Sequence, residues 1–145
     1  FDIVLIIEPT SPLRTTEDIE RSLHHLIETG ADSVVTVSPL STKSHPNKLL
    51  TVTDGRLGFY REEGSLIRNR QELQGGFYWR NGLCYALTRA CLMEHQAIIT
   101  ENTKPVIVTR AIVNIDDPLD LAWAEFLLQR QGDGQERYLN TERAR

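Results

Sequence analysis

A basic excess is the first thing missing. The chain has 16 Lys and Arg against 20 Asp and Glu, a net charge of −4. It therefore lacks the electrostatic footprint of a nucleic-acid binder. No apolar run approaches membrane-spanning length, and no charged segment leads into an apolar stretch as in a secretory signal. The two cysteines, Cys84 and Cys91, have neither a CxxC nor a Cys/His ligand spacing, which argues against zinc. They read as reduced, buried thiols of a cytoplasmic protein. His24, His25 and His95 form no ligand spacing either and read as helix-surface residues. Internal repeats and low-complexity tracts are missing, and so is an initiating Met. The chain opens at Phe1 on a strand-like run, which reads as a fragment or a truncated gene product.

What is present suffices for one domain. The 145 residues are 40% hydrophobic and 25% charged, enough for one core and too few for two ordinary domains. Asp2 to Ile7 is a continuous apolar, β-branched run, which predicts a strand buried on both faces of a parallel sheet. Pro9 and Pro12 end it in a loop. A helix follows, capped by Thr15 or Thr16, acidic at Glu17 and Asp18, striped by Ile19, Leu23, Leu26 and Ile27, and closed by Gly30. Ser33 to Val37 is a second strand, completing a strand–helix–strand unit with two parallel strands.

Residues 41–80 read as an excursion from that sheet. Lys48 to Thr53 and Arg56 to Tyr60 flank Asp54-Gly55, a hairpin signal, and the rest is polar and aperiodic. Asn81 to Leu87 returns to a strand, Thr88 to His95 predicts a short helix, and Pro105 to Thr109 and Ala111 to Ile115 predict strands. Asp117 caps a final helix with Pro118 in its first position, a stripe of Leu119, Ala122, Trp123, Phe126 and Leu127, and an end at Gly132. The domain is placed at 1–131, and the charged tail 132–145 is expected to be mobile.

Four clusters carry possible chemistry. Glu8, Thr10, Ser11 and Arg14 lie at the carboxyl end of a strand, where open α/β sheets bind ligands, before a helix N-terminus that favours anions. The same run also serves as a rigid turn that caps a helix. Asn114 and Asp116, alternating on an expected strand, share a face and suit a Mg²⁺ ion that takes few carboxylates plus phosphate and water. Against this, Asp116 also reads as a cap or a surface acid. His45-Pro46-Asn47-Lys48 and Arg68-Asn69-Arg70 offer cations for a carboxylate or phosphate, or simply a solvated face. Asn81 in Asn81-Gly82 marks a tight turn, or reads a sugar hydroxyl or base edge.

In order along the chain, these segments resemble the cytidylyltransferases that make CMP-activated nine-carbon acidic sugars, the CMP-N-acylneuraminate (CMP-sialic acid) synthetases, over their C-terminal part. The family pattern has Gln-Pro-Thr-Ser-Pro-Leu-Arg, His-Pro-x-Lys, Arg-Gln-x-Leu, Asn-Gly-Ala-Ile-Tyr and a strand ending Asp-Ile-Asp. Its counterparts here are Glu8 to Arg14, His45 to Lys48, Arg70 to Leu73, Asn81 to Tyr85 and Asn114 to Asp116. The resemblance implies a partial Rossmann-like nucleotidyltransferase fold of the nucleotide-diphospho-sugar transferase type, α/β with a mainly parallel sheet and a β-hairpin dimerisation excursion. It implies a homodimer that transfers CMP from CTP to a sialic acid-type sugar, releasing pyrophosphate with Mg²⁺ neutralising the phosphates. Carried over, Lys48 and Arg70 become the catalytic anion contacts. Glu8, Thr10, Ser11, Arg14, Asn81 and Tyr85 become the substrate wall, and Asp116 with Asn114 the metal position. The chain departs from the pattern in three ways. The glycine-rich and basic CTP loop has no counterpart, Glu8 stands for Gln, and Asn114 stands for the first Asp. An isolated chain of this kind is expected to be catalytically incomplete. The competing expectation is a non-catalytic relative acting as a dimerisation or sugar-binding module.

Overall fold

The computed structural model describes residues 1–73 and 76–143, with the side chains of residues 70 and 131–143 outside the description. Its elements are β1 (Ile3–Ile6), α1 (Thr16–Thr29), β2 (Ser33–Pro39), β3 (Leu50–Thr53), β4 (Arg56–Phe59), β5 (Tyr78–Thr88), β6 (Thr103–Ile107) and α2 (Pro118–Arg143). They fall into two compact units: Phe1–Val37 with the chain from Arg80 onward, and Ser38–Trp79.

The first unit is a mixed α/β layer built on a four-stranded sheet in the order β1-β5-β2-β6. β1 pairs antiparallel with β5, Ile3 opposite Thr88 and Ile6 opposite Tyr85. β2 pairs parallel with β6, Ser33 opposite Thr103. Between β5 and β2 the Thr88 N–H donates to the Asp32 carbonyl at 2.9 Å. Four residues further along β2, the Thr36 hydroxyl donates to the Cys84 carbonyl at 3.0 Å and accepts from the Cys84 N–H at 2.9 Å. The residue pairs Asp32–Thr88 and Thr36–Cys84 run in opposite senses, so this pairing is antiparallel too.

The mainly parallel sheet expected above is therefore corrected. Two of the three neighbour pairings are antiparallel, because β5 is inserted between β1 and β2. The reason lies in burial. Every residue from Asn81 to Leu87 is buried, so β5 needs a neighbour on each side. β1, expected to be buried on both faces, lies at the edge with Leu5 exposed. β6 lies at the other edge and tolerates Pro105, whose missing N–H would break an inner ladder. The core packs on both faces of this sheet. Leu26 of α1 joins Val34, Ala86 and Val106 on one side, while Val35, Tyr85, Leu87 and Cys91 cluster separately. Cys84 and Cys91 are both buried and free.

α1 begins and ends where its signals place it. The Thr15 hydroxyl accepts from the Asp18 N–H, and the Asp18 carboxylate accepts from the Thr15 N–H at 2.8 Å, a reciprocal capping box. Gly30 closes the helix in the left-handed region at φ 60°. The buried line differs from the expected apolar stripe. It is Asp18, Ser22 and Leu26, while Ile27 is exposed. Asp18 tolerates burial because Arg110 grips it with two nitrogens, at 2.8 and 2.5 Å. Burial raises the Asp18 pKa, but Arg110 and the Thr15 donors outweigh it and hold the carboxyl below its ordinary value.

The strand expected after β6 is corrected here. Ala111 to Ile115 is not a strand. It is a loop, anchored where the Ile115 N–H meets the Thr10 carbonyl at 2.9 Å. The short helix expected after β5 is present, residues 89–95 being helical. At α2 the Asp117 cap is in place, accepting from the N–H groups of Leu119 and Asp120 at 2.8 and 2.9 Å. The buried stripe is narrower than expected. Ala124 is buried, and Leu127 packs with Leu13 and Val113, while Leu119 is 76% exposed and Trp123 and Phe126 stack on each other at the surface. α2 also continues past Gly132. The expectation of a mobile tail at 132–145 falls on residues whose side chains lie outside the described set.

The second unit holds the hairpin of β3 and β4, with Leu50 opposite Phe59 and Thr53 opposite Arg56. Asp54 and Gly55 have φ of 51° and 74°, the two left-handed residues of a type I′ turn. Both strands are exposed along their whole length. Single turns of 3-10 helix occur at Pro46–Lys48 and Glu62–Leu66. Phe77 is met edge-on by His45 at 4.7 Å and covered by the Arg61 guanidinium at 5.5 Å.

Candidate functional site

Three segments far apart in sequence meet at the carboxyl end of β1: the loop 8–14, the stretch 81–85 of β5, and the loop around Asn114. Pro9 and Pro12 keep the first loop out of the ladder, so its side chains turn towards β5. Glu8 is at the centre. Its Oε1 accepts from the Tyr85 hydroxyl at 2.7 Å, and its Oε2 faces Asn114 Nδ2 at 3.4 Å. Tyr85 is buried, and burial together with the neighbouring Glu8 carboxylate pushes its pKa up to about 12. It is therefore a fixed donor to Glu8 over the ordinary pH range.

Asn114 is held from its other end. Its Oδ1 accepts from the Ser11 hydroxyl at 2.7 Å and the Thr10 hydroxyl at 3.2 Å. Because Glu8 has only acceptors to offer, the amide must turn its nitrogen that way. Ser11 is buried and also lies 3.3 Å from the Asn81 carbonyl. Arg14 donates to the backbone carbonyls of Glu8, Gly82 and Leu83, tying the loop to β5. Asn81 is fully buried, and its Oδ1 accepts from the Leu83 N–H at 3.2 Å.

Asn81-Gly82 is not the turn before a strand that its sequence suggests. It lies inside β5, which begins at Tyr78. Gly82 takes φ of 69°, and a Cβ there would stand 2.3 Å from Glu8 Oε2 and 2.8 Å from Ser11 Oγ. Gly82 is thus a site residue that sequence reasoning missed. The available signal was a glycine interrupting an apolar run, which marks a bulge or a close backbone approach.

The remaining expected residues are Asp116, Lys48 and Arg70. Asp116 is exposed, and its N–H donates to the Asp120 carboxylate at 3.0 Å. With Ala111 to Ile115 in a loop, the alternation that was to put Asn114 and Asp116 on one strand face does not apply. Among the described residues no three His, Cys, Asp or Glu side chains are grouped to hold a metal. Asp120 and Asp117 spend their carboxylates on backbone N–H groups.

Lys48 belongs to the second unit. It ends the turn Pro46–Lys48, which His45 caps by accepting from the Asn47 N–H at 3.2 Å. It lines an open cleft of about 460 Å³ with Asn47, Leu57, Phe59, Arg68 and Asn69. Arg70 begins the turn Arg70–Glu72, and its side chain lies outside the described residues. Among the described residues no helix is long and apolar enough to cross a membrane.

No family model matches the chain. Curated proteins do. It is 31% identical over 138 residues to the CMP-N,N'-diacetyllegionaminic acid synthase of Legionella pneumophila, which covers 89% of this chain and 55% of that protein. It is 24% identical over 132 residues to the post-translational flagellin modification protein B of Campylobacter coli, over 90% of this chain and 54% of that one. The chain thus spans about half the length of the curated relatives it matches. The likeness to CMP-sugar synthetases that the motifs carry is accordingly a likeness by homology, running through nearly the whole of this chain.

Proposed function

We propose that the chain supplies the sugar-facing wall of a cytidylyltransferase, which transfers CMP from CTP to a nine-carbon acidic sugar of the sialic or legionaminic type. One observation carries this reading. The segments that hold the resemblance, 8–14, 81–85 and the loop at Asn114, are dispersed in sequence and yet joined by direct side-chain hydrogen bonds. The surrounding fold is then a partial nucleotidyltransferase layer, and the reaction a displacement at the α-phosphorus of CTP by the sugar's anomeric hydroxyl, with pyrophosphate leaving.

In this reading Glu8, Thr10 and Ser11 orient the sugar, and Asn81, Tyr85 and Arg14 set the wall behind them. Lys48 and Arg70 offer cations to the sugar carboxylate or to charge developing on the phosphates. They serve the partner's site if a second copy of the chain completes it. That partner suits the exposed hairpin, since an isolated two-stranded ribbon is marginally stable in water. Asp116 would be the carboxylate this chain offers to a Mg²⁺ ion, which would lower the charge on the CTP phosphates. The cytoplasm, where CTP is available, is the expected compartment.

The glycine-rich, basic loop that resembles a CTP cradle is not among these residues. The chain alone is therefore expected to bind sugar without turnover. The test follows pyrophosphate release with CTP, Mg²⁺ and either N-acetylneuraminate or N,N'-diacetyllegionaminate, alongside sugar binding by saturation-transfer NMR. Binding that is lost on Glu8→Ala, with no pyrophosphate released, is the expected result. A folded chain that binds neither sugar sinks the reading, and turnover by the chain alone sinks its incompleteness.

A further inference from the structure

Glu8 and Asn114 are two positions where the motifs depart from the pattern they resemble, and their side chains face each other at 3.4 Å. We propose that they form a reciprocal pair. The site keeps one carboxylate and one amide, with the carboxylate on the loop after β1 and the amide on the loop after β6, and each residue dictates the identity of the other. This deepens the reading above by naming the residue that holds the site's negative charge. It rests on that reading only for its use in catalysis, since the pairing itself stands on geometry.

The argument is one of donors and acceptors. An ionised carboxylate can only accept. Tyr85 serves Glu8 Oε1, and Oε2 needs a donor, which Asn114 Nδ2 provides. With its nitrogen turned to Glu8, Asn114 presents Oδ1 at its other end, which accepts from the Ser11 and Thr10 hydroxyls. An amide does both, and an ionised carboxylate cannot. Asp at 114 would keep the hydroxyl bonds and set a second carboxylate against Glu8, an arrangement in which like charges disfavour joint ionisation. Glu8 has little room to swing away, because the backbone of Gly82 lies so close that even a Cβ there would come within 2.3 Å of Oε2. Gln at 8 together with Asp at 114 restores a donor facing an acceptor, with the two groups exchanged. Those are the two residue types that the resembling pattern has at these places.

The location of the charge has a consequence for the ligand. A carboxylate at residue 8 meets the sugar as an acceptor. The group it faces must therefore donate, as a hydroxyl or an acetamido N–H does, and the sugar's own carboxylate must lie elsewhere.

Four proteins test the pair: the parent chain, Glu8→Gln, Asn114→Asp, and the two together, with unfolding midpoints read by circular dichroism without ligand. Asn114→Asp is expected to lower the midpoint by about 5 °C or more, Glu8→Gln by roughly 2 °C, and the double variant to return to within about 2 °C of the parent. A double variant that falls by the sum of the single losses overturns the proposal. Should Asn114→Asp not fold, the double variant decides alone: a parental midpoint supports the pair, and failure to fold overturns it. No ligand enters the measurement, so a failed pyrophosphate assay leaves this result standing, and the reverse also holds.

Discussion

The stretch 81–87 of β5 and the hairpin of β3 and β4 are both strand structure with a tight, glycine-containing feature, but they solve opposite problems. Every residue of the first is buried, and every residue of the second's strands is exposed. In β5 the left-handed glycine sits against Glu8 and Ser11, whereas in the hairpin Gly55 has nothing within 4 Å of where its Cβ would be. One glycine is required by its neighbours as well as by its backbone, the other by backbone alone. A buried strand with a kink is a place where chemistry is assembled. An exposed hairpin with a standard turn keeps its shape locally and leaves its side chains available to a partner.

The largest effect expected from breaking this contrast comes from the two glycines. Gly82→Ala should cost about 2–5 kcal/mol, combining a left-handed φ with a clash that the Glu8 and Ser11 side chains must shift to relieve. Gly55→Ala should cost only about 1–2 kcal/mol. Urea unfolding of both variants reads the difference, and equal losses would remove the distinction. Next is the ion pair under α1. Asp18→Asn leaves the Arg110 fork with half its partner and weakens the capping box, at a cost of about 2–3 kcal/mol. The folded-state pKa of Asp18 is depressed, so its contribution is present above the unfolded value and lost as pH falls through the folded one. The acid limb of the stability curve, below about pH 4, should therefore flatten in the variant. The smallest effect belongs to the hairpin. Leu57→Lys, at a residue 70% exposed, should change the unfolding free energy of a monomer by less than about 0.5 kcal/mol. If the hairpin pairs with a second copy, the same change should lower the sedimentation-equilibrium mass instead.

Much of the local structure is visible in the residues themselves. Thr15 with Asp18, Gly30, Asp54-Gly55 and Asp117-Pro118 are short-range devices, and each stands where its chemistry puts it. What local pattern does not carry is partnership. The run Asp2 to Ile7 announces a strand without saying that its neighbour is β5 instead of β2. The 111–115 run has strand composition, yet one backbone bond to Thr10 and the pull of Asn114 on two hydroxyls keep it a loop. The burial of Asp18 beneath α1 depends on Arg110, some ninety residues later, and no helical periodicity foretells it. At the site, the residue types and their order were readable. The mutual grip of Glu8, Tyr85 and Asn114, and the need for Gly82 beside them, arise only when the chain brings distant positions together.

The insertion of β5 beside β1 also sets a schedule. Ile3 has its ladder partner at Thr88, so the first strand of the chain cannot be secured until the chain has run through the whole second unit and back into the first. Contacts of such long separation are slow to form, because the loop between them must be closed before any pairing rewards it. α1 and the hairpin are short-range structures free to form early. β1 is a late arrival, and Glu8 just beyond it is carried to Tyr85 only at that step. Closing the sheet and assembling the wall are then a single event, and a slow refolding phase of this chain should coincide with the burial of Tyr85.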